Sequence, residues 1–179
     1  MNRTIQLIDR LNDIIGRGIA WLTVAMVLVT FLVVVLRYVF SIGWIGMQES
    51  VVYFHGLVFM LGAAYTLKQN GHVRVDIFYE KMQPKARAWV DLLGAVLLLI
   101  PFCVFVLYVS WNYVALSWSL LEGSREAGGL PGVFLLKTLI PVMAILVMLQ
   151  GISQALHSIL ILRGKVESRQ TEEDVNHNV

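Results

Sequence analysis

Residues 68–91 read Lys68-Gln-Asn-Gly-His-Val-Arg-Val-Asp-Ile-Phe-Tyr-Glu-Lys-Met-Gln-Pro-Lys-Ala-Arg-Ala-Trp-Val-Asp91. This polar stretch carries Lys68, Arg74, Lys81, Lys85 and Arg87, the largest basic cluster in the chain. Two runs without a charged residue precede it, 18–36 and 50–67, and two follow it, 92–121 and 138–162. A helix needs roughly 20 apolar residues to cross a hydrocarbon core of about 30 Å, so each run is long enough to span. In lipid every backbone amide and carbonyl must be satisfied within the segment, which leaves the helix as the open-ended solution. The sequence therefore predicts an all-α integral membrane protein with four transmembrane helices.

Composition agrees. Of 179 residues, 58% are hydrophobic and 15% charged, against about 25% charged in a soluble domain. Spans are placed at about 18–37, 50–67, 90–121 and 138–162. The last two runs overshoot the bilayer, which predicts tilt or projection into the headgroups. Orientation follows from the cations. Arg3, Arg10, Arg17, the five of the central stretch, Arg163, Lys165 and Arg169 fall on one side; Arg37, Arg125 and Lys137 fall on the other. The positive-inside rule puts both termini and the central stretch in the cytoplasm.

Outward from the spans, residues 1–17 alternate at helical spacing. Leu7, Ile8, Leu11, Ile14 and Ile15 lie on one face, and Arg3, Asp9, Arg10, Asp13 and Arg17 on the other. That pattern predicts an N-terminal amphipathic helix lying along the inner headgroups before the chain turns into the bilayer. The charges spread through it and the full-length run behind it argue against a cleaved signal peptide. Between spans two and three, Val73, Val75, Ile77 and Phe78 among the charges predict an ordered cytoplasmic interfacial segment, with Pro84 in the first turn of a helix leading to span three. Pro101 can kink that span. Residues 163–179 are polar and acidic, and read as a disordered tail.

Chemistry is sparse. No dinucleotide fingerprint, Walker loop, zincin or Cys-x-x-Cys motif is present, so no enzyme activity is predicted. Cys103 reads as a buried small hydrophobe. His55, His72, His157 and His177 are scattered. A haem or metal between bundled helices needs ligands at matched depth, and His55 and His157 lie near opposite sides of the membrane. No cofactor or metal is predicted. His55 has two readings, a hydrogen bond to a neighbouring helix or an ion or proton site, and the first is the commoner fate of an intramembrane polar group. Tyr53 and Gly56 share a face of span two with Glu49, and small residues there suit close helix approach. No basic face with interleaved aromatics appears outside the membrane flanks, which argues against nucleic acid as a partner.

Several short segments follow one another along the chain: Gln48-Glu49 with Tyr53 and His55; Gly71-His72-Val73-Arg74-Val75-Asp76; Pro101-Phe102; Ser117-Trp118 leading to Glu122-x-Ser124; Gly129-Leu130-Pro131; Leu136-Lys137; Ile140-Pro141-Val142; and Leu149-Gln150-Gly151-Ile152. In this order, on four spans with inward termini, they resemble the small membrane subunit of the tripartite ATP-independent periplasmic (TRAP) transporters, the DctQ-type Q subunit. The likeness runs from about residue 8 to 162. It implies a non-catalytic scaffold in a bacterial inner membrane. The implied partners are membrane lipids, a large M subunit that holds the substrate and sodium sites, and a periplasmic P protein that delivers a carboxylate. The candidate partner-interface residues are Glu49, Tyr53, His55, Gly56, His72, Arg74, Asp76, Trp118, Glu122, Arg125, Leu130, Pro131, Lys137 and Gln150. Glu49, Glu122, Arg125 and Glu126 would lie on the outer surface, available to the P protein or simply solvated. The competing classes are a four-helix membrane anchor or haem subunit of a respiratory complex and a small autonomous transporter. The second lacks the internal repeats common in that class.

Overall fold

The computed structural model describes residues 2–71, 79 and 81–164. Four long helices account for nearly all of them: α1 (Asn2–Tyr38), α2 (Ile45–Lys68), α3 (Pro84–Ser119) and α4 (Val133–Leu162). Each is long and apolar enough to cross a membrane, and no strand occurs among the described residues. The helices run alternately up and down. Lys68 at the end of α2 meets Asp13 near the start of α1, and the start of α4 meets the end of α3 through Trp118 and Thr138. One end of the bundle, here the termini end, carries the start of α1 and the end of α4; the other is the far end.

α4 packs against each of the other three helices. Its inward side explains why. Ala144, Gly151, Ser153, Ala155 and Ser158 are all buried, so neighbouring backbones approach closely where lipid supplies no hydrophobic drive between helices. α3 answers with Ala88, Ala95, Cys103, Ser110 and Ser117, also buried. Large side chains take the outside instead: Trp21 is 76% exposed and Tyr108 82%. Thus the bundle is small and polar within, large and apolar without.

Two helices depart from plain geometry. In α3 the turns over Gly94–Leu99 are π-helical and end just before Pro101. Proline removes the amide that would bond the carbonyl four residues back, and its ring crowds that carbonyl. A wide turn on the N-terminal side accommodates both defects. Gly151 of α4 sits against this segment, where a Cβ would lie 2.6 Å from Leu99 Cδ2.

α1 corrects the sequence reading. No turn separates an interfacial helix from span one; the helix is continuous from Asn2 to Tyr38. Residues from both faces of that pattern are exposed, Arg3, Arg10 and Arg17 among them. Leu7, Leu11 and Ile14 are exposed while Asn12 is 1% exposed. Asp9, Asn12 and Asp13 turn inward and bond α2 and α4. Pro84 does open a helix as predicted. The rest of the interfacial segment, with His72, Arg74 and Asp76, and the tail from 165 lie outside the described residues.

Gly16 and Gly18 differ sharply in surroundings. A Cβ at Gly16 would lie 2.5 Å from Tyr65 Cγ of α2, whereas nothing lies within 4 Å of one at Gly18. An aromatic ring cannot flex away, so Gly16→Val should destabilise the protein by about 1–3 kcal/mol through overpacking. Gly18→Ala should be neutral or stabilising by up to about 1 kcal/mol. Thermal unfolding in detergent checks the pair; equal melting temperatures for both variants would refute this packing.

Candidate functional site

The far-end connection, residues 120–132, folds back onto the helices it joins. α3 ends where Leu121 takes a positive φ of 45° and Glu122 N–H bonds the Ser117 carbonyl at 3.0 Å. Within the loop, Ser124 N–H donates to the Leu130 carbonyl and Gly129 N–H to that of Glu126, both at 3.0 Å. Gly128, at φ +81°, supplies the left-handed turn that other residues resist. The Glu122 carbonyl then accepts from Phe134 N–H at 3.3 Å, capping one of the open amides at the start of α4.

Two carboxylates lock this loop. Glu49, in the second turn of α2, accepts the Ser124 hydroxyl on Oε1 and Leu130 N–H on Oε2 at 2.7 Å. The fit is close: a Cβ at Gly129 would lie 2.7 Å from Glu49 Oε2, and one at Gly46 would lie 3.2 Å from the Gly128 carbonyl. Glu122 accepts on Oε2 from Lys137 Nζ at 2.5 Å and Ser117 Oγ at 2.7 Å. The same ammonium stands 4.1 Å over the Tyr113 ring, a cation–π contact. Trp118 donates its indole N–H to Thr138 Oγ1 at 2.8 Å and meets Phe134 edge-on at 4.7 Å. Glu49 ties the loop to α2, and Glu122 ties it to α3 and α4.

Of the residues singled out from sequence, the structure gathers Glu49, Trp118, Glu122, Leu130 and Lys137 into this latch. Tyr53 and Gly56 pack on α4: Tyr53 lies against Gly132, and a Cβ at Gly56 would lie 2.8 Å from Leu136 Cδ1. Pro131 and Arg125 are exposed, as is Glu126. Glu49 and Glu122 are therefore bound within the chain, and the loop tip offers Arg125 and Glu126. His55 is exposed, its ring tilted against Phe59 with centroids 5.7 Å apart, and among the described residues it makes no hydrogen bond to a neighbouring helix of this chain. Gln150 lies at the other end of the bundle, buried. It accepts from Asn12 Nδ2 at 2.6 Å and donates to Asp9 Oδ1 at 3.2 Å. Ser153 Oγ also donates to Asp9 Oδ1, at 3.0 Å, and Lys68 Nζ reaches the Asp9 carbonyl at 3.2 Å and Asp13 at 2.5 Å.

Sequence reasoning missed this second network. Its signal was the phase Asn12, Gly16, Ile19, which continues unbroken into span one and places the polar side of residues 9–13 on the inward face. It also missed Ser117 and Tyr113 as partners of the Glu122–Lys137 pair. The serine lies five residues before Glu122, where the turn at Leu121 brings it back.

Four membrane-length helices with a latched loop define a multi-pass membrane protein whose chemistry goes into holding helices together. Residues 26–160 match the family described as "Tripartite ATP-independent periplasmic transporters, DctQ component". The chain belongs to that family: it is a TRAP transporter small permease subunit, a transporter component and not an enzyme. It is 29% identical over 112 residues to the C4-dicarboxylate TRAP transporter small permease protein DctQ of Vibrio cholerae serotype O1. That match covers 63% of this chain and 47% of the relative, so the chain spans about half the length of the curated relative it matches.

Two outcomes test the latch. Glu49→Ala should raise hydrogen exchange at Leu130 and its neighbours by about tenfold or more, because the loop loses its tie to α2; unchanged exchange would remove Glu49 from the latch. The Lys137 ammonium, then the Ser117 hydroxyl, hold the Glu122 carboxyl below its usual range. A lowered folded pKa gives stability that is complete above the unfolded value, near 4.3, and is lost as pH falls through the folded value. Wild type should therefore melt above Glu122→Gln at pH 7, and the gap should close only below about pH 4.3. A gap independent of pH would rule out the ion pair as its cause.

Proposed function

We propose that this chain is the static scaffold subunit of a TRAP-type secondary importer that takes up a carboxylate with a sodium gradient. It pairs with the large M subunit in the bacterial inner membrane, with both termini cytoplasmic, and its far-end loop helps dock the periplasmic P protein. One observation carries the docking reading. Glu49 and Glu122 fix the loop's shape from inside, so the exposed Arg125 and Glu126 stand on a rigid mount. A preorganised charged tip engages a soluble protein without first losing loop entropy. The scaffold role is supported by the interior, where buried positions are mostly small and where the polar groups of α1, α2 and α4 already bond one another. The carboxylate class follows the name of the relative. His72, Arg74 and Asp76 are assigned to the contact with the M subunit, on the cytoplasmic side where the lysine and arginine count places them.

Sodium-driven uptake into liposomes holding the M subunit and supplied with the P protein tests this. Leaving out the chain should lower uptake by about tenfold or more. Arg125→Glu in the intact complex should weaken P-protein binding by about tenfold, with the melting temperature unchanged. Full uptake without the chain would refute the scaffold role, and unaltered P-protein affinity in Arg125→Glu would refute docking at this tip.

A further inference from the structure

At the termini end, α1, α2, α3 and α4 enclose an open cavity of about 250 Å³. Its polar wall includes Asp9, Lys68, Gln154 and His157, and its apolar wall includes Leu67 and Ile161. On the outer side of the same turns α1 exposes Leu7 and Leu11, so this level of the bundle meets the boundary between acyl chains and headgroups.

The polar wall holds hydrogen-bonding capacity that the protein does not use. Lys68 directs its ammonium to Asp13 and to the Asp9 carbonyl, two acceptors for three hydrogens. Asp9 receives Gln150 and Ser153 on Oδ1 alone, leaving Oδ2 without a donor among the described residues. Among those residues, the side chains of Gln154 and His157 have no hydrogen-bonding partner, although both line the cavity. Thus one cavity is lined by an ammonium, an amide and an imidazole that can donate and by a carboxylate that can accept. α3 adds Arg87 and Asp91 to the wall, one charge of each sign. Asp91 already accepts the Tyr79 hydroxyl at 2.6 Å, so a simple anion would leave Oδ2 of Asp9 unanswered, and a simple cation would leave the donors unanswered. A zwitterion satisfies both. The volume is about eight times the roughly 30 Å³ share of a water molecule, enough for a phosphate and an ethanolamine.

We propose that this cavity binds the phosphoethanolamine headgroup of a phospholipid from the leaflet at the termini end. Lys68, Gln154 and His157 hold the phosphate, Asp9 receives the primary ammonium, and the acyl chains leave past Leu67 and Ile161. The inference requires the four-helix membrane fold and stands apart from the transport reading, so either can fail alone.

Native mass spectrometry of the full-length, delipidated protein tests it with added phosphatidylethanolamine, phosphatidylcholine and free phosphoethanolamine. The ethanolamine lipid should bind about tenfold better than the choline lipid, whose quaternary ammonium has no N–H for Asp9. Free phosphoethanolamine, without chains to bury, should bind at least tenfold more weakly than the lipid. The double variant Gln154→Leu/His157→Leu breaks no internal hydrogen bond. It should melt with wild type in the absence of lipid and lose the preference for ethanolamine. Equal binding of the two lipids would overturn the proposal, as would a preference retained in the double variant. Free phosphoethanolamine binding as tightly as the lipid would overturn the lipid as its source. The comparison of the two lipids on wild-type protein decides the question even if the variant unfolds.

Discussion

Helices in lipid gain little from burying leucine against leucine, because the acyl chains they leave are equally apolar. Association must come from close backbone approach and from polar groups with nowhere else to bond. This chain obeys that constraint throughout. Its buried positions are mostly alanine, glycine, serine and cysteine with two amides and a few aliphatics such as Ile19 and Leu146, while many leucines, phenylalanines and tryptophans face outward. Small residues bring helices together but do little to choose register, since one small side chain resembles the next. Register falls to the polar contacts, and these lie at the two ends. At the termini end Asp9, Asn12, Asp13, Lys68, Gln150 and Ser153 join α1, α2 and α4. At the far end Glu49, Ser117, Glu122, Ser124 and Lys137 join α2, α3 and α4. α4 takes part in both, which fits its place against every other helix.

The two networks differ in kind. The one at the termini end has its amides buried, Asn12 at 1% and Gln150 at 5% exposed, so breaking a bond there strands a desolvated group. The far-end pair of Glu122 and Lys137 is more open to solvent, where an ion pair is worth less and is screened by salt. What the far-end contacts supply is shape. They set a turn that contains a left-handed glycine, a left-handed leucine and backbone bonds that cap the neighbouring helix.

Much of the architecture was legible in the sequence, for one physical reason. A membrane span must lack charge over a fixed length, and that signal survives without knowledge of any partner. The opening of α3 at Pro84 was legible because proline suits the first turn. The orientation of residues 2–17 was not. Amphipathic periodicity gives a helix two faces but does not tell whether it bends along the interface or runs straight on into the next span, as α1 does. The far-end site was half legible. Its residue types stood out as polar groups flanking spans, but Glu49 and Leu130 are 81 positions apart, and no local pattern announces such a pairing. His55 and Gln150 were drawn from the same list of intramembrane polar groups and have opposite fates, one exposed and one buried. Their neighbours in three dimensions decide this, not their own chemistry.

The division within the far-end loop bears on how such a loop can evolve. A carboxylate that accepts two or three donors inside the fold is a poor contact for another protein, because a partner would have to displace bonds already made. Glu49 and Glu122 are in that position. Arg125 and Glu126 are exposed at the tip; their side chains make none of the carboxylates' hydrogen bonds, Arg125 acts on Glu122 only through its charge, and the bond from Glu126 N–H to Ser124 Oγ is one any non-proline residue can make. The side chains at the tip are thus separate from the hydrogen bonds of the latch beneath, which keep its position constant. The loop is thus held by one glutamate of its own and one from α2, while its two exposed charged side chains take no part in the hydrogen bonds that fix its shape.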